Sequence, residues 1–245
     1  MVNFFLVRTR IAFFAGLAFT GSVSPLFANG DRRYFTGVGA DLTLPYFWFT
    51  DSVYTYDSTV DWYRAVRYDF GLQPGVSLQA GFDETLSEKF RFGIEAAYSF
   101  VPPASRTIQT SQQVGAVAVQ IQETATLAHH VPRLSLRLTQ KLAQSWNLTY
   151  RLGIADHIAK RTINPQPQNL PAGTNLTPAN FPARDDTYGV LTADIAAGLE
   201  YVADLRHGFA LFLTLNPPLV YPETVRNHIV LPYFAQLSLQ YRYIW

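Results

Sequence analysis

Five histidines, His129, His130, His157, His207 and His228, are the residues of this 245-residue sequence best suited by type to proton transfer near neutral pH. An imidazole that activates a serine hydroxyl from a strand needs that serine on its own face, commonly two positions away. No histidine here has one. Asp156, His157, Asp185 and Asp186 are the right types to activate a water, but Asp156 and His157 are adjacent, so in a strand they face opposite ways. Solvation of loops accounts for them better. The sequence has no cysteine, which removes thiol nucleophiles, zinc–thiolate sites and disulfides together. No catalytic, cofactor-binding or metal site is expected.

A second set of charges is better ordered. Asp41, Glu95, Asp194 and Glu200 with Arg91, Arg133, Arg137, Arg151 and Arg242 fall at alternate positions of otherwise apolar stretches. Nearly balanced in sign, they suit an enclosed ion-pair network, since an unpaired ion away from water costs several kcal/mol. Glycine falls on the same face, at Gly37, Gly39, Gly75, Gly81, Gly93, Gly153 and Gly198, where small residues leave room for guanidinium forks. A proton or ion path is the other use of such charges; a filled lumen is the simpler one.

The elements that must position this set are strands. Every second residue is apolar in Leu72 to Phe82, Phe90 to Phe100, Trp146 to Ile154, Leu191 to Tyr201 and Ala235 to Trp245, the period of a strand whose two faces meet different surroundings. Val38 to Leu44, Leu134 to Leu138 and Phe209 to Leu215 complete eight, although Gln113 to Thr126 could raise the count to ten. Connections alternate in length. Asp83 to Lys89, Thr139 to Ser145 and Val202 to Gly208 are short and polar, whereas Phe49 to Arg67, Val101 to His129, Asp156 to Asp186 and Leu219 to Val230 are long. Weaker alternation in Ser52 to Tyr56 and at Val117, Val119 and Ile121 predicts strands that project as a sheet, whose edges could pair with another chain. The proline-rich stretch from Ile163 to Ala183 reads as extended and poorly ordered.

Alternation alone leaves open which face is inside, since a soluble barrel has the same period. The apolar face of the strands carries no charge, and lysine is scarce, so the apolar face is expected outside, in lipid. Phe82, Phe90, Trp146, Tyr201 and Phe209 flank the short turns at matched levels and should form a periplasmic aromatic girdle. Charged residues make up 15% of the chain and the net charge is +1, without the basic cluster that a nucleic-acid partner requires. Residues 1–28, with Arg8 and Arg10, an apolar stretch from Ile11 to Phe19 and small residues leading to Ala28, read as a signal peptide; residues 29–245 form the barrel domain.

The fold class is thus all-β, an eight-stranded antiparallel up-and-down transmembrane β-barrel. In period, loop asymmetry and terminal strand the chain resembles the small outer-membrane barrels of OmpA/OmpX type. Its Tyr241, Tyr243, Trp245 pattern is similar to the C-terminal signal by which the barrel-assembly machinery recognises that class, with tryptophan where phenylalanine is usual. The resemblance implies a bacterial outer membrane, contact with its lipid and lipopolysaccharide, and a binding or envelope-integrity role carried by outer loops, with a possible extracellular partner. An OmpW-like conduit for small apolar molecules is the alternative, and Phe212, Phe234 and Ile244 point inward in its favour. Barrel enzymes that modify lipid A, and omptin-like proteases, match the residues less well.

Overall fold

The computed structural model describes residues 32–46, 49–55, 61–66, 70–114, 117–170, 172, 177–178, 181, 183–219 and 233–245. Ten strands follow in chain order: β1 (Arg32–Tyr46), β2 (Phe49–Thr55), β3 (Asp61–Val66), β4 (Gln73–Thr85), β5 (Phe90–Val114), β6 (Val117–Lys141), β7 (Trp146–Pro167), β8 (Arg184–Val202), β9 (His207–Asn216) and β10 (Tyr233–Ile244). Eight of them close into an antiparallel ring in the order β1-β10-β9-β8-β7-β6-β5-β4, while β2 and β3 pair separately. Each of the eight barrel strands covers one of the eight periodic stretches of the sequence, with β5 to β8 running well beyond theirs, and Gln113 to Thr126 adds no crossing. The signal-peptide segment lies outside the described residues.

Which face is inside follows from neighbouring pairs. Leu152 is 61% exposed and Arg151 beside it 2%; Leu78 is 60% exposed and Gln79 6%. The outer wall of the ring is a belt of Leu, Val, Ile and Tyr, and the inner wall is polar.

Three turns at one end are built alike. The N–H of Leu86 reaches the carbonyl of Phe90 at 3.0 Å, that of Leu142 the carbonyl of Trp146 at 2.9 Å, and that of Ala203 the carbonyl of His207 at 2.9 Å. They are tighter than their polar composition suggests, because Asp83, Thr139, His207 and Gly208 belong to the flanking strands. In the outer-membrane barrels that the sequence resembles, short turns of this kind face the periplasm, so this is the expected periplasmic end.

At the opposite end the expectation of a long loop from Val101 to His129 is corrected. β5 and β6 run on as one hairpin, pairing from Phe90↔Gln140 to Val114↔Val117. β7 follows β6 outward as far as Ile121↔Pro167 and β8 begins at Arg184, so Asp156 to Pro167 and Arg184 to Asp186 are strand, not loop, and Asp156 and His157 are buried rather than solvated. Pro102 and Pro103 lie within a register shift between Val101 and Ala104, where two residues oppose one and the strand changes which residues face in.

Above this rim apolar residues come to the inner face, alongside buried His129 and Glu123 on β6 and Arg161 on β7. On β6 the inward residues Arg137, Ser135 and Arg133 give way to Leu127, Ala125, Ile121 and Val119, while outward Leu138, Leu136 and Leu134 give way to Thr126, Thr124 and Gln122. The physical cause is the change of solvent. Within the bilayer the outer wall meets lipid; beyond it the same wall meets water, and burial is available only on the inner side.

Candidate functional site

Six charged side chains meet in the lower half of the barrel. Glu95 on β5 is 1% exposed, accepting Arg151 Nη1 at 2.5 Å and Arg242 Nη2 at 3.0 Å, with Arg137 Nε at 3.9 Å. Glu200 on β8 accepts Arg242 Nη1 at 3.1 Å and Arg137 Nη2 at 2.8 Å. Asp83 on β4 accepts Arg137 Nη1 at 2.5 Å. Three guanidinium groups therefore face three carboxylates, which removes the net charge that an enclosed site could not hold.

Register explains the crowding. Arg137 and Arg151 stand directly opposite on β6 and β7, a like-charge pair that Glu95 bridges from the neighbouring strand. Two aromatic rings complete the packing. The guanidinium carbon of Arg137 lies 4.8 Å from the Phe35 ring centre, that of Arg151 4.4 Å from Phe212, and that of Arg242 5.0 and 5.1 Å from the two rings. Those rings fit because they lie on bare backbone: a Cβ on Gly198 would come within 2.5 Å of Phe212, and one on Gly81 within 2.7 Å of Phe35.

A storey higher the polar groups are held by neutral partners. Arg133 donates to Gln236 Oε1 and Ser99 Oγ, each at 2.9 Å. Asp41 accepts from Ser77 at 3.1 Å and Ser99 at 3.0 Å, and Asp194 from Ser135 at 2.6 Å and Asn216 at 3.4 Å. Of the nine charges expected from the sequence, Glu95, Arg137, Arg151, Glu200 and Arg242 thus meet in the lower cluster. Asp41, Arg133 and Asp194 stand above it on hydrogen bonds, because their strands carry Ser, Gln and Asn at that level. Arg91 is half-buried below it and lines the periplasmic mouth. Asp83, assigned to a turn by composition, is the member that the expectation lacked. Continuing the inward series Gln79, Gly81 by one step reaches it.

Above the polar storeys lies a roof. Phe234 stacks on the His157 ring at 3.7 Å between centres and meets His129 edge-on at 5.4 Å. Phe70, Ala125, Leu127, Ala159 and Ile163 pack with Phe234 in one buried cluster. Gly71 has φ of 61°, a left-handed conformation open to glycine, next to the point where Phe70 tucks under the projecting sheet.

The outer belt decides the setting. Charged groups fill the centre of a closed ring while Val38, Leu42, Val76, Leu78, Leu136, Leu152, Ile195, Leu199, Leu211, Leu213, Leu237 and Leu239 stand exposed on its wall. The chain is an eight-stranded outer-membrane β-barrel.

No protein-family model matches this outer-membrane barrel, and no curated protein matches it. Solved structures similar to it include Ail, the attachment invasion locus protein of Yersinia pestis, at 8% identity, 87% of this chain and 98% of that chain covered, and a TM-score of 0.42. The outer membrane protein OprG from Pseudomonas aeruginosa is similar at 11% identity, 86% and 95% coverage and a TM-score of 0.43. Neisserial surface protein A is similar at 10% identity, 86% and 96% coverage and a TM-score of 0.35.

On the wall of the outer-membrane barrel, Trp146, Tyr201, Phe209 and Tyr241 are successive cross-strand neighbours, with ring centres 5.1 Å apart for Trp146 and Tyr201 and 5.6 Å for Phe209 and Tyr241. Phe82 packs on Tyr34 at 6.3 Å, and Phe90 stands exposed beside its turn. Tyr243 and Trp245 meet edge-on at 5.4 Å at the end of β10.

The histidines are dispersed. His129 and His157 lie in the roof, His130 faces outward with its Nδ1 2.5 Å from the Tyr98 hydroxyl, and the His207 ring packs on Tyr241 and Tyr243. His228 lies outside the described residues. Asp185 accepts Thr162 Oγ1 at 2.5 Å, far in register from the lumen carboxylates.

Proposed function

We propose that this outer-membrane barrel is non-enzymatic, that its lumen is sealed, and that it serves envelope integrity or binds a partner through its projecting strands. The observation that carries the reading is the stack of fillings along one axis: ion-paired guanidinium groups on aromatic rings, a hydrogen-bonded polar storey, then a roof of stacked rings and apolar side chains. An eight-stranded ring has room for side chains and little else. The lumen therefore offers no continuous path for solute.

Binding falls to the part of the sheet that rises above the rim. β4 pairs with β5 only as far as Val76↔Phe100, while β5 continues to Val114. Over that continuation Ser105, Arg106, Thr107, Gln109 and Ser111 are exposed. A strand edge in water favours pairing with an extended segment of another chain, with main-chain hydrogen bonds supplying affinity.

Planar-bilayer recording of the refolded barrel tests the sealed lumen, and no reproducible open level is expected. A stable conductance step, or uptake of a small apolar solute into barrel-loaded vesicles, would replace this reading with the conduit. Turnover of labelled lipopolysaccharide or of a peptide library, lost in His157→Ala or His130→Ala, would replace it with an enzyme.

A further inference from the structure

We propose that the periplasmic mouth of the barrel is an anion-binding vestibule, taking a small ligand that carries two or more carboxylate or phosphate groups. The mouth encloses a cavity of about 550 Å³. Arg137 and Arg242 form its floor, but Asp83, Glu95 and Glu200 already hold their Nη groups, so the floor is close to neutral.

The collar is different. Arg33, Lys89, Arg91 and Lys141 line it against two carboxylates, Glu88 and Asp204. Asp204 is turned onto its own turn, accepting the backbone N–H of Arg206 at 2.7 Å and of His207 at 2.8 Å. Two of the four cations, Lys89 in the turn before β5 and Lys141 at the end of β6, stand together, with Glu88 next to Lys89 in the chain.

Lysine makes the excess meaningful. The whole sequence has three lysines, Lys89, Lys141 and Lys160, and two of them line this one cavity. Their backbones adjoin, with the Lys141 N–H on the Lys89 carbonyl at 2.8 Å. Like charges placed side by side oppose folding, and whereas Glu95 bridges the opposed Arg137 and Arg151, no carboxylate among the described residues bridges these two lysines. An anion held between them converts that repulsion into attraction. Lysine supplies a mobile point charge for such a ligand, whereas the arginines of the floor form fixed forks. The proposal is independent of the sealed lumen, which stands whichever way the following test falls.

The test titrates the refolded barrel in zwitterionic detergent with citrate and, separately, with inorganic pyrophosphate at low ionic strength. Saturable one-to-one binding of at least one anion is expected, and the anion that binds more tightly distinguishes carboxylate from phosphate chemistry. Loss of two charge-assisted contacts should weaken it by at least about tenfold in Lys89→Gln/Lys141→Gln. Lys160→Gln, on the projecting part of β7, should leave it unchanged. Saturating anion should also raise the melting temperature of the parent and not that of the double variant. Without anion the double variant should be at least as heat-stable as the parent, and Lys141→Gln alone should give the same pattern at smaller amplitude. Failure of both anions to bind, or equal weakening in Lys89→Gln/Lys141→Gln and Lys160→Gln, would overturn the proposal.

Discussion

At the scale of the residue, Glu95 is the group on which the lumen depends most, because three guanidinium groups surround one carboxylate. Glu95→Gln keeps the shape and removes the charge, leaving buried arginines without their counter-ion. Such a loss costs about 3–5 kcal/mol, and a matching fall in the urea midpoint of the barrel folded in lipid vesicles is expected. Asp204 provides a separate test in the periplasmic turn. The backbone N–H groups of Arg206 and His207 hold its carboxyl below the usual range. A carboxyl lowered by folding stabilises above its unfolded value and loses that contribution as pH falls through its folded value. Asp204→Ala should therefore melt below the parent at neutral pH, and the gap should close as the pH is taken from about 5 to about 2.

At the scale of the element, the periodic stretches announced the strands wherever the bilayer imposes one solvent on each face. Alternation from Trp146 to Ile154 reads directly as β7 because lipid and lumen differ so sharply. It failed where the solvent changes. Pro102 and Pro103 move the alternation of β5 by one residue, and beyond them the apolar residues Ala104 and Ile108 face the opposite way from Phe100. Ile163 to Pro167 was hidden for a related reason, since prolines signal loops and yet Pro165 and Pro167 lie at the end of β7. Of the lumen site, the arginines and both glutamates were readable from parity alone. Phe35 was not, because the first strand begins earlier than its clearest alternation. Since β5 and β6 resume a common register at Ala104↔Leu127, the hairpin above that rung should be dispensable for closure. Replacing residues 105–126 with an Asn-Gly turn should leave a barrel that still migrates as folded on unheated gels. It should also abolish any partner capture carried by the projecting strands.

At the scale of the molecule, the row of Trp146, Tyr201, Phe209 and Tyr241 is expected at a bilayer boundary, where amphipathic rings concentrate. A variant retaining Trp146 as its sole tryptophan should be quenched strongly by lipids brominated near the headgroup and weakly by those brominated at the chain terminus. Strong quenching from the bilayer centre would contradict the assigned depth. The ring itself closes where β1 meets β10, with Phe35 opposite Ile244 and the Trp245 N–H on the Tyr34 carbonyl at 2.9 Å. That seam joins the first strand to be made to the last. The cylinder can therefore be completed only after the entire polypeptide has been delivered, and until then two open edges travel with it. Premature pairing of either edge with a neighbour is the hazard that a holding chaperone would need to prevent, and a tether pulling on either terminus would peel the wall apart from the same line.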